Sequence, residues 1–432
     1  MVPVSKTGLD QQLSPLVAQP DDLQTYDVAI VGAGIVGLTL ACALKDSGLR
    51  IALIEAKPRS IGLSQRRAYH ISLLSGRILT GLGVFDRILP QITTFKQIDL
   101  ADANCPAVVA LQPRDLGTSE LGYVAEHGIL LQALQQALTE AETVEWLCPA
   151  TVLHADYQSA PATGALRDRT LLTLSTDGQE IQIASRLLVA ADGARSPIRT
   201  AAGIATHGWQ YWQSCITAVI HPEQSHGSIA REHFWSSGPF ATLPLPNNRC
   251  QIVLTAPHAE AQALMQIDDQ AFLAELDRRY EGKLGKLTLE GTRLLFPVQL
   301  MHSDRYTQAR LALIGDAAHC CHPVGGQGLN LGIRDAAALA QVLLKAHDRH
   351  QDIGDPQVLR RYERWRKLEN LIILGFTDLL DRFFSSDWWP IVILRRFGLR
   401  MMRQLRPLRS IALRLMTGLS GRYPRLARGS RG

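Results

Sequence analysis

The chain has 432 residues, 46% of them apolar and 20% charged, with a formal net charge of +5. That length and balance suffice to bury one or two sizeable cores and exclude an intrinsically disordered chain. Seven scattered cysteines, odd in number and without a CxxC pair, exclude a disulfide framework and a CxxC-type metal site, and suit reduced thiols in a cytoplasmic protein.

Residues 1–25 are polar, carry Pro3, Pro15 and Pro20, and contain no apolar stretch. They read as a flexible tail, neither a secretory signal nor a membrane anchor. No uncharged run elsewhere approaches the roughly 18 residues of a membrane span, so the protein is expected not to be integral.

The apolar run Val28 to Val31 leads into Gly32-Ala33-Gly34-Ile35-Val36-Gly37. Gly32 permits a sharp turn out of a strand, Gly34 permits backbone to approach a pyrophosphate, and Gly37 permits close packing of helix on sheet. Free N–H groups and the positive dipole end of the helix then bind a diphosphate without a lysine. The helix should run from about Ile35 to Lys45 and stop at Ser47-Gly48. A strand, Ile51 to Ile54, follows and ends in Glu55, 23 residues after Gly32. A carboxylate at that spacing accepts ribose hydroxyls and disfavours a 2′-phosphate, which points to FAD or NAD rather than NADP in this pocket.

Two later motifs repeat the logic of a strand end. Leu187 to Ala191 leads into Asp192-Gly193-Ala194-Arg195-Ser196-Pro197, and Leu311 to Ile314 leads into Gly315-Asp316. Asp192 and Asp316 can orient groups around a cofactor, Asp316 by holding a ribityl chain. Pro323-Val324-Gly325-Gly326-Gln327-Gly328-Leu329-Asn330 then opens a helix through Arg334 and Leu339. The N–H groups and dipole of that helix suit negative charge on a reduced flavin, and its glycines leave room for the ring.

Between these motifs, Ser214 to Ile220, Phe240 to Leu245 and Gln251 to Thr255 alternate and are broken by Pro and Gly-Pro turns, as in an antiparallel sheet. The division expected is a nucleotide domain at 26–95, 121–205 and 300–345, and a substrate domain at 96–120 and 206–299. A basic helical region at 346–432 completes it. Residues 391–432 hold eleven arginines and no Asp, Glu or Lys, so the remaining chain carries 5 − 11 = −6. These arginines alternate with apolar residues and follow Trp388 and Trp389. Two readings stand: a membrane surface bearing anionic lipid, at the inner face of a membrane, or a helical cap with solvated arginines. Nucleic acid is disfavoured, because the basic character is confined to this tail.

In this order the three motifs resemble the group A flavoprotein monooxygenases. They are most similar to the ubiquinone-biosynthesis hydroxylases that act on polyprenylated phenols. The likeness rests on Arg67-Ala68 with Ile71-Ser72, on Gly208-Trp209-Gln210-Tyr211-Trp212-Gln213, on Ser237 to Ala241 with Leu243-Pro244-Leu245, and on Gly418-Leu419 through Gly429, covering about residues 26–430. The branch often carries an acid before the Arg-Ala pair where Gln65-Arg66 stand here. Arg66 or Arg67 is thus left to face the flavin, and adjacency to Ala68 favours Arg67.

The resemblance implies an α/β, glutathione-reductase-like FAD-binding fold built on a parallel sheet, with an inserted antiparallel-sheet substrate domain and a C-terminal helical region. It implies FAD as cofactor, NADH or NADPH as transient reductant, and O2 as co-substrate that forms a flavin C4a-hydroperoxide. Gly32, Gly34, Gly37, Glu55, Arg67, Asp192, Asp316, Gly326, Gly328, Leu329 and Asn330 are the expected cofactor residues. Pro323 and Gly325 would border the oxygen-reacting face, and Tyr211 or His70 would serve as base for a phenol proton. His319 is expected to be structural. The substrate would be a prenylated phenol of a ubiquinone- or plastoquinone-type pathway; a small soluble aromatic or an isoprenoid is the alternative. So is a flavin-binding scaffold subunit of a quinone-synthesis complex.

Overall fold

A computed structural model describes residues 23–65, 67–102, 108–157 and 168–428. In chain order, β1 (Gln24–Val31), α1 (Ile35–Leu44), β2 (Ile51–Ile54) and β3 (Ala68–Ser72) lead to β4 (Gln97–Asp102). After β5 (Gln179–Ala190) come the longer strands β6 (Thr206–Pro222), β7 (Ile229–Trp235), β8 (Gly238–Leu245) and β9 (Arg249–Pro257). Then follow α2 (His258–Gln266), α3 (Asp269–Tyr280), β10 (Leu287–Ser303) and β11 (Leu311–Leu313). The chain closes with α4 (Gly328–His347), α5 (Pro356–Phe384), α6 (Trp389–Gln404) and α7 (Arg406–Met416).

One sheet runs in the order β11, β5, β1, β2 and the strand Val144–Leu147, all parallel. Its register aligns Val31 with Ala190 and Ile54, and Ala190 with Leu313. Three of the strand ends that carry the sequence motifs therefore stand level at one edge, where open α/β sheets bind ligands. Val28, Ile30, Ile51, Leu53, Leu188 and Val189 are fully buried, so the sheet is covered on both faces, which explains its near-continuous apolar strands. The covering α1 and α4 are apolar on most sides for the same reason.

A second sheet runs β10, β6, β9, β8, β7, β4 and the strand Val108–Leu111, mostly antiparallel, with β7 and β4 parallel. Thr206 pairs with Ser303, so the β6–β10 excursion leaves and rejoins the nucleotide layer at one place, while β4 and the strand Val108–Leu111 join this sheet from an earlier segment. A small third sheet joins β3, the strand Gly122–Glu126 and the strand Thr93–Phe95.

The structure adds two elements to the sequence expectation and moves one boundary. α2 and α3 interrupt the run expected to be all strand: Ala- and Leu-rich segments follow Pro257, and Asp268 caps α3 by accepting the Ala271 N–H at 2.7 Å. β1 begins at Gln24, so Gln24 and Thr25 belong to the sheet rather than to the tail; residues 1–22 of that tail lie outside the described residues.

α5 to α7 wrap the second sheet. Leu399 and Leu413 are buried in an apolar cluster with Phe95, Val109 and Phe234. Arg395 pairs with buried Asp102 at 2.7 Å, and Arg409 with Asp115 at 2.9 Å. Those two arginines are thus structural fasteners, as the cap reading requires. On the outside the same helices keep Trp388, Trp389, Leu394, Phe397 and Ile411 more than half exposed. No helix among the described residues is long and apolar enough to cross a membrane.

Candidate functional site

A cavity of about 480 Å³ opens where the two sheets face each other. The parallel layer contributes Gly34, Ile35, Val36, Ala191, Gly193 and Asp316; the antiparallel sheet contributes Thr217, Val253, Phe296 and Gln299; the turn before α4 contributes Pro323, Gly326, Gly328 and Leu329. Arg67 and His70 close one side.

The first turn is shaped by backbone-to-backbone packing. Gly32 has φ +103° and donates its N–H to Ile54 at 2.8 Å; a side chain on it would overlap the Ala191 carbonyl. A side chain on Gly37 would overlap the Gly32 carbonyl. Gly34 differs, because no protein atom lies within 4 Å of where its Cβ would stand. The protein itself does not demand glycine there, so the open space belongs to whatever the cavity receives. Gly34 caps α1 without any side-chain hydrogen bond, and its first N–H groups remain available to an anion. Glu55 stands beside this turn: Oε2 accepts the Ala33 N–H at 2.8 Å and Oε1 that of Lys57 at 3.0 Å.

At the second motif, Asp192 Oδ2 accepts the Ile198 N–H at 3.4 Å while Oδ1 is buried without a partner. Burial pushes its carboxyl above the usual range, with Ser196 and backbone N–H groups pulling it back. Arg199 joins this motif to the third. Its guanidinium donates to Ala194 O and to Ala317 O, both at 2.9 Å.

The third motif rests on Asp335, which accepts from His319 (2.6 Å), Arg366 (2.8 Å), Asn370 (3.0 Å) and the Gly315 N–H (3.2 Å). Although burial opposes it, His319 and Arg366 hold this carboxyl down at about 2. His319 is thereby a fastener of the Gly315-Asp316 turn, and Asp316 is left projecting into the cavity.

The turn before α4 is shaped by side chains instead. Gly325 and Gly326 adopt φ of +70° and +60°, where a Cβ is costly. Asn330 holds them: it donates to Gly326 O at 2.9 Å and to His70 O at 2.8 Å, and accepts the Ser72 N–H at 2.8 Å. Gln327 donates to Gly325 O at 2.9 Å and to Met416 O at 3.0 Å, tying the end of α7 to the cavity wall. His322 is fully buried; its Nδ1 accepts the Val324 N–H at 3.2 Å and its Nε2 donates to Gln213 at 3.2 Å.

Tyr211 and Asn330 do not line this cavity, and neither do Gly32, Gly37, Glu55, Asp192 and Gly325. Tyr211 is buried beneath His322, with its hydroxyl donating to Asp378 at 2.6 Å, and it does not line the cavity. Burial and that carboxylate push its hydroxyl upward, so it is not placed to accept a proton from a ligand in the cavity. His70 reaches the cavity but donates Nδ1–H to Gly325 O at 3.3 Å, and burial lowers it to about 4. Asn330 holds backbone rather than facing the cavity, and Arg66 lies outside the described residues. Sequence reading missed Arg199 and Gln327 as clamps, and it missed Glu232 on β7, whose carboxyl lies near the Gly325 backbone N–H. Only the register of the second sheet reveals that last residue.

A glycine-led helix start and a carboxylate at each of three strand ends, facing a second sheet across an elongated cavity, define an FAD-binding oxidoreductase. The wall fits FAD on its own terms: Gly34 opens onto space, α1 and α4 both begin without a side-chain cap, and Asp192 keeps an unpartnered oxygen.

Comparison with known proteins agrees. The FAD binding domain family matches residues 25–369. A Rhodospirillum rubrum ubiquinone hydroxylase, UbiL, is 35% identical over 99% of this chain and 96% of its own. The Escherichia coli 3-demethoxyubiquinol 3-hydroxylase is 32% identical over 92% and 99%. An uncharacterized protein of Synechocystis is 50% identical over 94% and 96%. In fold the chain is similar to the p-nitrophenol 4-monooxygenase PnpA of Pseudomonas putida, with TM-score 0.76, 20% identity, and 93% and 100% covered. The chain belongs to the FAD-dependent aromatic monooxygenases of the ubiquinone-hydroxylase family.

Proposed function

We propose that this enzyme hydroxylates the ring of a polyprenylated phenol on the way to a ubiquinone- or plastoquinone-type quinone. Full-length likeness to two ubiquinone hydroxylases carries that reading. FAD, when bound, supplies NAD(P)H-driven reduction and the activation of dioxygen for transfer to an electron-rich ring.

The chain's own groups divide the work. The free N–H groups after Gly34 bind the pyrophosphate, with Gly32 and Gly37 shaping their turn, and Glu55 takes the ribose hydroxyls. Asp192 and Asp316 order the middle of the cofactor. Gly326, Gly328 and Leu329 present the α4 N-terminus to the flavin ring, with Asn330 and Gln327 fixing their backbone. Arg67, just before β3 and 4.8 Å over the ring of Phe296 on the second sheet, faces the flavin ring, and Pro323 with Gly325 borders the side that meets oxygen. Residues 24–95, 121–205 and 300–345 act as the cofactor unit, while 96–120 and 206–299 act as the substrate unit.

The outer face of α5–α7 supports attachment to a membrane surface, where a polyprenyl chain would reside. Twelve of the twenty-one exposed large apolar side chains among the described residues fall between Leu368 and Ile411, among arginines.

Anaerobic NAD(P)H reduction followed by reoxidation, with and without a prenylated phenol, tests the reaction. A product heavier by one oxygen atom is expected, and flavin indifferent to every phenol would remove the reading. Trp388→Ser with Trp389→Ser should lower binding to anionic vesicles while leaving FAD content unchanged; equal binding would remove the membrane assignment.

A further inference from the structure

We infer that Glu232 is the residue that takes the ring hydroxyl of the phenol, first as hydrogen-bond acceptor and then as acceptor of its proton. The inference rests on the phenol reading above and adds a residue that no motif in the chain marks.

The register of the second sheet carries it. Thr217 pairs with Val253, Val253 with Ala241, and Ala241 with Glu232. Residues paired directly across strands point to the same face. Thr217 and Val253 line the cavity, as does Leu243, two residues on from Ala241. Glu232 therefore stands on the same side of the sheet in the same transverse row, on β7, one strand beyond Leu243 of β8, which lines the cavity. Its carboxyl lies near the Gly325 backbone N–H, at the turn whose neighbours Pro323 and Gly326 form the cavity wall.

The surroundings leave this carboxylate short of partners. Its neighbours in the row are Ala241 and Leu100. Among the described residues no lysine, arginine or histidine forms an ion pair with it, although the sheet holds several paired carboxylates, such as Glu290 with His221 at 2.8 Å. The titratable groups on the elements around it are Cys215 on β6, His70 on β3, which is held to Gly325 O, and Asp102 on β4, which is paired with Arg395 of α6 at 2.7 Å; Arg67 lies across the cavity over Phe296. A half-buried carboxylate without a cation costs stability unless it has work to do. Burial pushes Glu232 up to about 8, with the Gly325 N–H pulling the other way, which places it near the range where a base is most effective.

The oxygen atom comes from the activated dioxygen that bound FAD would supply, the C–O bond forming as the O–O bond breaks and the ring's electron pair going into the new bond. The phenol O–H bond breaks and an O–H bond forms on Glu232. The electron pair left on the phenol oxygen enters the ring as it takes the oxygen atom. When the ring regains aromaticity, its C–H proton goes to the oxygen left by O–O cleavage and the proton on Glu232 returns to the phenol oxygen.

The test uses oxidised holoenzyme without reductant and 4-nitrophenol as a chromogenic phenol, titrated between about pH 6 and 10. Glu232→Gln keeps an oxygen for the Gly325 N–H but has no acid proton to share. In the native protein Glu232, at about 8, is the stronger base of the pair and keeps the shared proton, so the phenolate band of the bound probe should rise at least about one unit lower in pH than in Glu232→Gln, a tenfold difference in the probe's proton affinity. Glu232→Asp should fall between. Turnover with the natural class of substrate should lose its acid limb near pH 8 in Glu232→Gln, at equal FAD content. Coincident titrations in the native protein and Glu232→Gln would overturn the assignment and leave the phenol reading standing. No spectral response of the native protein to any phenol would overturn both.

Discussion

The two helix starts that face the cavity are built from glycine in opposite ways. At α1, Gly32 and Gly37 are glycines because main chain lies where a side chain would go. At α4, Gly325 and Gly326 are glycines because their backbone is left-handed, and that shape is held by Asn330, Gln327 and His70. The first turn is rigid through local sterics and the second through polar contacts with strands and helices far away in sequence. A cofactor can thus be gripped by an unyielding turn at one end and met at the other by a turn whose shape depends on the rest of the fold.

Gly37→Val should break this comparison most severely. The added side chain must displace the Gly32 carbonyl, and the expected outcome is no folded, FAD-retaining protein on purification. Folded yellow protein from that variant would show that the first turn can yield. Asn330→Ala removes three buried hydrogen bonds and should cost about 3 kcal/mol of stability by denaturant unfolding. Flavin reduction should slow with it, because Gly326 loses its restraint; a loss below about 1 kcal/mol would mean that Gln327 alone holds the turn.

Gly34→Val sharpens the contrast from the other side. Nothing in the protein opposes that side chain, so the apoprotein should lose less than about 1 kcal/mol. FAD retention should fall at least tenfold, about 1.4 kcal/mol, by equilibrium dialysis. Equal losses in apoprotein and FAD affinity would place the constraint within the protein.

His70 offers the smallest and most selective probe. Burial holds it near 4 against an ordinary 6.5, so its neutral form is the one the fold favours. Stability from this group is complete above 6.5 and is lost as pH falls from there towards about 4, by up to about 3 kcal/mol. His70→Gln should shrink that acid-side loss, and the native-minus-variant difference isolates His70 from buried His322, which titrates in the same sense.

The contrast between the turns also explains what could be read in the chain. Gly32, Gly34, Gly37 and Glu55 lie within two dozen residues, and their spacing alone implies strand, turn, helix and acid. The α4 turn was legible as glycine-rich but not as a latch, because its partners Ser72, His70 and Met416 are brought to it only by the fold. Tyr211 looked available in sequence, but nothing in its neighbourhood announces Asp378, which arrives from α5. Glu232 stayed hidden because a carboxylate in an alternating strand looks solvent-facing until cross-strand register fixes its side. The basic tail mixes both readings offered for it: Arg395 and Arg409 fasten helices to the sheet, while the tryptophans beside them stay outside.

The join between the two sheets has a consequence for how such a protein diversifies. Ala205 O accepts the Asp304 N–H at 2.9 Å and Thr206 pairs with Ser303, so nearly a hundred residues depart and return through a single doorway. An excursion with its ends clasped adds little closure entropy to the layer it leaves, whatever its length. Changes within that excursion can then be accommodated with little effect on the parallel layer it leaves.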